Sequence, residues 1–298
     1  GHSGLVGSAI LRALKKKKYK NLIFSSSKEL DLTDQKKTFF FLKKKKPKFI
    51  FIAAGKVGGI LANNTHKADF IYKNLCIQNN LIHGAYLAGV KNIIFLGSSC
   101  VYPKYCKQPI QEKYLLNGPL EKTNEPYALA KIAGIKLCEF YNFQYKTNYK
   151  CLMPCNIYGP GDNYNSKNSH FLPALIKKIH SIKLGKENNL KLWGSGEVKR
   201  ELLYADDLAE ACIYFMNKKI DTTWINIGSG IDHKIKTIAK IAMRVLKAER
   251  KIIFDKSKPD GTPRKILDIS MSKKYGWKAR HTLESGLIKT YKDFIKKN

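Results

Sequence analysis

Along the first half of the chain, short apolar runs alternate with longer stretches whose apolar residues recur every three or four positions. The runs Asn21–Ser25, Phe49–Ala54, Asn92–Gly97 and Lys150–Pro154 have the length and apolar content of buried strands. Between them, Gly7–Leu14, Thr33–Leu42, Asp69–Ala88 and Glu125–Lys146 carry helical periodicity. Strand and helix in alternation predict an α/β chain with a parallel sheet wound by helices. Tyr204-Ala205-Asp206-Asp207-Leu208 has the look of a strand end running into a helix, and Trp224–Gly228 of a further short strand. After Gly159-Pro160-Gly161 the pattern loosens and Asn, Gly and Pro become more frequent, as a smaller, loop-built part would require.

Composition narrows the class. With 298 residues and 44 % hydrophobic content, the chain can bury a large core. No run reaches the roughly 18 apolar residues of a membrane span, and the start, Gly1-His2-Ser3-Gly4, has no secretory character. A soluble, cytoplasmic protein is expected. The net charge of +32 suggests a polyanion partner, but its distribution points away from nucleic acid. The lysines form short runs (Lys15 to Lys18, Lys43 to Lys46, Lys218-Lys219, Lys296-Lys297), with few arginines and no interleaved aromatics to read or stack on bases. The seven cysteines (76, 100, 106, 138, 151, 155 and 212) are scattered without a CxxC pair. That fits unpaired thiols in a reducing compartment, with no zinc site and with six of them, Cys100 excepted, as small buried residues.

Candidate chemistry begins at the first residue. Gly1, Gly4 and Gly7 open a helix at the spacing that lets a backbone turn approach a pyrophosphate. Such turns normally follow a strand, so a chain lacking its first, central strand, and destabilised by the loss, is expected. Tyr127 and Lys131 stand four apart on a helix and share a face. A nearby cation is expected to lower the phenol and make it a proton donor and acceptor. Tyr214 and Lys218 repeat the spacing without a partner motif and read as surface. Ser98 ends the apolar run Asn92–Gly97, where the carboxyl end of a parallel strand meets a cofactor crevice. Glycine turn, strand-end serine and YxxxK in this order resemble the extended short-chain dehydrogenase/reductase superfamily.

Longer stretches narrow the resemblance. Ala53 to Ile60, Gly97 to Lys104, Thr123 to Lys136, Asn168-Ser169-His170, Trp193-Gly194-Ser195-Gly196 and Lys258 to Lys265 are similar to those of the GDP-L-fucose synthase family. The similarity runs across essentially the whole chain. It implies a Rossmann-type, doubly wound sheet binding NADP over residues 1–155, with 201–228 returning to it. A smaller α/β substrate-binding domain over 156–298 is implied as well. The reaction implied is conversion of GDP-4-keto-6-deoxy-D-mannose to GDP-L-fucose: epimerisation at two carbons flanking the ketone, then reduction by NADPH. Ser98 and Tyr127 are implied as donors to the oxygen, Cys100 and His170 as the acid–base pair of the epimerisations, and Lys131 as the group holding the nicotinamide ribose. Gly1, Gly4, Leu5, Val6, Gly7, Ser27, Ala54, Leu96, Gly97, Lys131, Pro154, Asn156, Ile157 and His170 are the implied cofactor contacts.

Lys178, Trp193, Arg200 and Asp260 are the implied substrate contacts. Arg is frequent in the family at the position of Lys178, which keeps the charge without the bidentate fork; Arg200 also admits a purely structural role. Where relatives place basic residues toward the 2′-phosphate, this chain has Ser3, Ser25 and Ser27, with Lys28 alongside. No acidic residue immediately ends the Asn21–Ser25 run to grip a 2′-hydroxyl, so NADP is favoured over NAD. Rival readings are a nucleotide-sugar 4,6-dehydratase or 4-epimerase, and a non-catalytic dinucleotide- or nucleic-acid-binding relative. Cys100 counts against the dehydratase and the intact Ser-Tyr-Lys set against the non-catalytic protein. A homodimer through helices including Asp69–Ala88 and Glu125–Lys146 is implied, and no nucleic-acid or membrane partner.

Overall fold

The computed structural model describes residues 1–165, 169–258 and 260–297; Asn168 and Pro259, each within one of the motifs above, lie outside the described residues. Strands run over Ile50–Ile52 (β1), Asn92–Leu96 (β2), Asn148–Pro154 (β3), Asn156–Tyr158 (β4) and Leu190–Trp193 (β5). They continue through Lys199–Tyr204 (β6), Trp224–Ile227 (β7), Asp232–Lys234 (β8), Ile252–Asp255 (β9) and Arg264–Lys265 (β10). The helices comprise Leu5–Lys16 (α1), Gln35–Lys45 (α2), Ile60–Thr65 (α3), Lys67–Leu87 (α4) and Glu125–Tyr145 (α5). After them come Phe171–Lys183 (α6), Ala205–Asn217 (α7), Ile235–Val245 (α8), Ser270–Lys274 (α9) and Leu283–Lys297 (α10).

The main sheet has the order β1-β2-β3-β7 and every pairing in it is parallel. Parallel neighbours require crossovers, which α4, α5 and α7 supply in turn. Both faces are covered, so the strands are apolar almost throughout: Ile52, Phe95, Leu152 and Ile225 are nearly inaccessible and share one core. The crossovers also bring the carboxyl ends of β1, β2 and β3 to one edge, where Ala53, Gly97 and Cys155 line the same cavity as the start of α1. A second core gathers Leu172, Ile176, Leu190, Ile238 and Leu287 under α6, α8 and α10. Around it, β6 pairs in parallel with β4 and β10 and antiparallel with β8, and β5 pairs with β9.

One predicted strand is not there. Asn21–Ser25 joins no ladder. Leu22 and Phe24 line a cavity whose other wall includes Ile50 and Ile52 of β1. Space rather than a hydrogen-bonded neighbour lies beside the segment, and an extended chain becomes a strand only through its partner. The cysteine expectation also needs amending. Cys138, Cys151, Cys155 and Cys212 are buried, but Cys76 and Cys106 are half-exposed; all seven are free thiols. Among the described residues no helix is long and apolar enough to cross a membrane.

Candidate active site

The β2-α5 segment places the chemistry. At the carboxyl end of β2, Gly97-Ser98-Ser99-Cys100 turns into a single short helical turn over Ser99–Val101. The Ser98 hydroxyl accepts from the Cys100 amide at 3.2 Å and fixes the turn. Ser99 and Val101 are buried beneath it, while Ser98 and Cys100 face the cavity. Tyr127 and Lys131 lie one turn apart on α5, with the ammonium 5.7 Å from the phenol ring centre. Lys131 is 5 % exposed and donates to the Leu96 carbonyl at 2.9 Å.

Burial pushes the Lys131 ammonium down to about 8. Tyr127 contradicts the expectation of a lowered phenol. Desolvation pushes it well above its ordinary value, the neighbouring Cys100 sulfur adds to the rise, and a hydrogen bond with Ser98 only partly opposes it. Lys131 is turned toward Leu96, so its charge does not set the phenol. Tyr127 is therefore a neutral phenol, a proton donor rather than a base. His170 caps the N-terminus of α6 without a side-chain capping bond. Desolvation holds its imidazole below the ordinary value, neutral at pH 7.

The glycine turn has the shape a dinucleotide needs. A Cβ on Gly1 would lie about 2.5 Å from the Ala53 backbone, and one on Gly7 would overlap the Gly1 carbonyl. Gly4 caps α1 without a side-chain bond, and the first turn of the helix holds no carboxylate. The opening amides are thus free to meet an anion. Ser25, Ser26 and Ser27 line the same space.

Every residue of the implied catalytic, cofactor and substrate sets lines one cavity of about 2650 Å³, far larger than a drug-sized pocket. That covers Gly1, Gly4 to Gly7, Ser27, Ala54, Leu96, Gly97, Ser98, Cys100, Tyr127 and Lys131, and also Pro154, Asn156, Ile157, His170, Lys178, Trp193, Arg200 and Asp260. Tyr214 does not line it; its hydroxyl donates to the Tyr275 carbonyl at 2.6 Å.

The far wall is less free than its sequence suggests. Arg200 Nη1 donates to the carbonyls of Lys199 at 2.7 Å and Thr262 at 2.6 Å, while Asp260 accepts from the Ser195 amide at 2.7 Å. Both therefore help to hold the loop before β10 as well as facing the cavity. Lys178 Nζ donates to the Lys191 carbonyl at 2.6 Å. Trp193 is 71 % exposed, with Lys258 6.0 Å from its ring centre.

Two supporting groups carry no signal in the sequence. Asn74 is buried on α4 and exchanges hydrogen bonds at 3.0 Å with both backbone groups of Lys56, which pins the loop after β1. Glu201 on β6 is wholly buried and accepts from the amides of Gly230 at 2.7 Å and Leu267 at 2.8 Å. Asn and Glu are ordinary residue types, and only the fold reveals what they hold.

The model of the NAD dependent epimerase/dehydratase family matches residues 1–228. A GDP-L-fucose synthase of Sinorhizobium fredii is 48 % identical over 295 residues, covering 99 % of this chain and 94 % of the relative. Among solved structures, a GDP-6-OMe-4-keto-L-xylo-heptose reductase from C. jejuni superposes with a TM-score of 0.93 at 35 % identity, over 100 % of this chain and 97 % of that one. An NADP-bound GDP-L-fucose synthetase from Naegleria fowleri gives 0.89 at 26 % identity, over 99 % and 92 %. The chain belongs to the NAD dependent epimerase/dehydratase family, on the branch it shares with relatives named GDP-L-fucose synthase.

Proposed function

We propose that this protein converts GDP-4-keto-6-deoxy-D-mannose to GDP-L-fucose, epimerising the two carbons beside the ketone and then reducing it with NADPH. The observation that carries this reading is convergence: Ser98, Cys100, Tyr127, Lys131 and His170 open on the same cavity as the glycine turn. The names of the relatives point the same way.

Gly1 to Gly7 and the N-terminus of α1 would hold the cofactor's diphosphate, Ser27 its adenosine end and Lys131 the nicotinamide ribose. Ala54, Leu96, Gly97, Pro154, Asn156 and Ile157 would complete that wall. When bound, NADPH supplies the hydride. Ser98 and Tyr127 donate to the ketone oxygen, which acidifies the neighbouring C–H bonds by stabilising the enolate. Cys100 and His170 exchange protons with those carbons from opposite faces; a neutral imidazole takes a proton up, and the imidazolium so formed is the acid that gives one back. Tyr127, kept protonated by its surroundings, delivers the proton to the oxygen in the reduction. Lys178, Trp193, Arg200 and Asp260 face the nucleotide and sugar.

This reading divides the chain into a cofactor-binding part over 1–155, joined by 201–228, and a substrate-binding part over the rest. Exposed Tyr72, Phe140 and Phe143 on α4 and α5 support a homodimer through those helices. Seven free thiols support a cytoplasmic setting. The test is product identification by NMR after turnover in D₂O. GDP-L-fucose carrying solvent deuterium at both flanking carbons is expected; a reduced sugar without deuterium there would make the protein a reductase only.

A further inference from the structure

The Cys100 sulfur has two donors aimed at it. Asn124 Nδ2 stands 3.3 Å away and Lys265 Nζ 3.5 Å. Neither is where its local sequence alone would send it. Asn124 is the N-cap of α5, a position where an Asn side chain normally accepts from the first turn and stabilises the helix. Here it makes no capping bond, and its Oδ1 is buried without a hydrogen-bond partner. Cap and oxygen are both forgone while the amide N–H points at sulfur, an arrangement a helix end does not need.

Lys265 is held just as firmly. Its strand, β10, pairs with β6 opposite Arg200. The next residue, Ile266, donates to Gln108 at 2.9 Å and accepts from the Ile110 amide at 2.8 Å. Leu267 donates to the buried Glu201 at 2.8 Å. With its backbone clamped on three sides, the ammonium is delivered to the sulfur from a chain segment 165 residues away.

We propose that Asn124 and Lys265 are positioning residues for Cys100, fixing its sulfur at the cavity wall and stabilising the thiolate formed in proton transfer. The proposal rests on the reading of Cys100 as a proton-transfer group and adds the machinery that makes it one. In each transfer between sulfur and the carbon beside the ketone, an S–H bond and a C–H bond exchange one proton. Negative charge resides on sulfur at one end of the step and on the enolate oxygen at the other. Ser98 and Tyr127 serve the oxygen; Asn124 and Lys265 serve the sulfur, through charge-assisted N–H···S⁻ contacts.

The test needs no substrate, so it fails or succeeds independently of the reaction assigned above. Cys100 is alkylated with iodoacetamide across pH 6 to 9, its peptide followed by mass spectrometry, with N-acetylcysteine in the same solution as reference. In Lys265→Met the Cys100 rate at pH 7 is expected to fall about fivefold or more. Asn124→Ala should give a smaller loss and Lys265→Arg should restore most of the rate. If Lys265→Met does not melt cooperatively, Lys265→Gln carries the test. In turnover, both loss variants should slow deuterium exchange at the flanking carbons with KM nearly unchanged. Parent-like alkylation of Cys100 in Lys265→Met or Lys265→Gln would overturn the proposal. So would a raised KM with unchanged alkylation, which would make Lys265 a ligand of the substrate's anion.

Discussion

Glu201→Gln should destabilise the fold far more than a one-atom change on the surface would. The carboxylate is wholly buried and each oxygen accepts one backbone amide, Gly230 at 2.7 Å and Leu267 at 2.8 Å. It also sits against Gly228, where any Cβ would overlap it. Burial raises the Glu201 carboxyl above its ordinary value, and the amides of Leu267, Gly230 and Ser229 pull it back. Glutamine presents one oxygen and one NH₂, so one of the two amides faces another donor and is left unpaired. An unsatisfied buried donor costs about 1–3 kcal/mol, and the surviving bond loses its charge assistance. Relief from desolvating a carboxylate offsets part of this, leaving a net loss of about 2 kcal/mol. For a chain of 298 residues that is a fall of about 3 °C in Tm. Thermal denaturation should show it, and hydrogen exchange should localise the opening to Gly230 and Leu267. Glu187→Gln, on an exposed loop, is the control and should change stability by less than about 0.5 kcal/mol. A Glu201→Gln melt indistinguishable from the control would refute the assignment of these two amides to the carboxylate.

Other consequences are as direct. Gly7→Ala places a methyl where the Gly1 carbonyl stands, so NADPH binding measured by fluorescence titration should weaken at least about tenfold; parent-like affinity would dismiss the cradle. Lys131 titrates at about 8 when folded and at 10.5 when free. Between those values the unfolded chain binds more protons, so its contribution to stability grows as pH rises, by about 3 kcal/mol across the window. Denaturant unfolding at pH 8 and pH 10 should show the parent gaining on Lys131→Met; parallel behaviour would contradict the lowered value. Phe143→Glu, on the exposed end of α5, tests the proposed homodimer: light scattering should read a dimer for the parent and a monomer for the variant, and an equal mass for both would remove that helix from any interface.

Much of this molecule was legible in its sequence, for identifiable reasons. Lys67–Leu87, Glu125–Tyr145 and the strands after them are long or strongly apolar, and their connections are the crossovers a parallel sheet demands. Asn21–Ser25 failed because apolar alternation marks what could pair and says nothing of whether a partner stands beside it. After Gly159 the strand at Trp224 and the strand end at Tyr204 were legible, but β5, β9 and β10 escaped because they pair across long separations, Leu190 with Ile252 and Arg264 with Lys199. The site followed the same division. Ser98, Tyr127 and Lys131 announce themselves by spacing, while Asn124 and Lys265 meet Cys100 only after α5 and β10 are in place. Tyr127 shows the limit of reasoning from spacing: a lysine four residues away was expected to govern the phenol, and the Leu96 carbonyl takes that lysine instead.

The most direct measurement follows NADPH oxidation by absorbance with GDP-4-keto-6-deoxy-D-mannose as substrate, comparing the parent with Tyr127→Phe. The account predicts substrate-dependent oxidation in the parent and a loss of about a hundredfold or more in kcat when the proton donor is removed. Both proteins should bind NADPH equally. Folded protein that binds NADPH but does not oxidise it with this substrate, or a Tyr127→Phe variant that turns over like the parent, would contradict it.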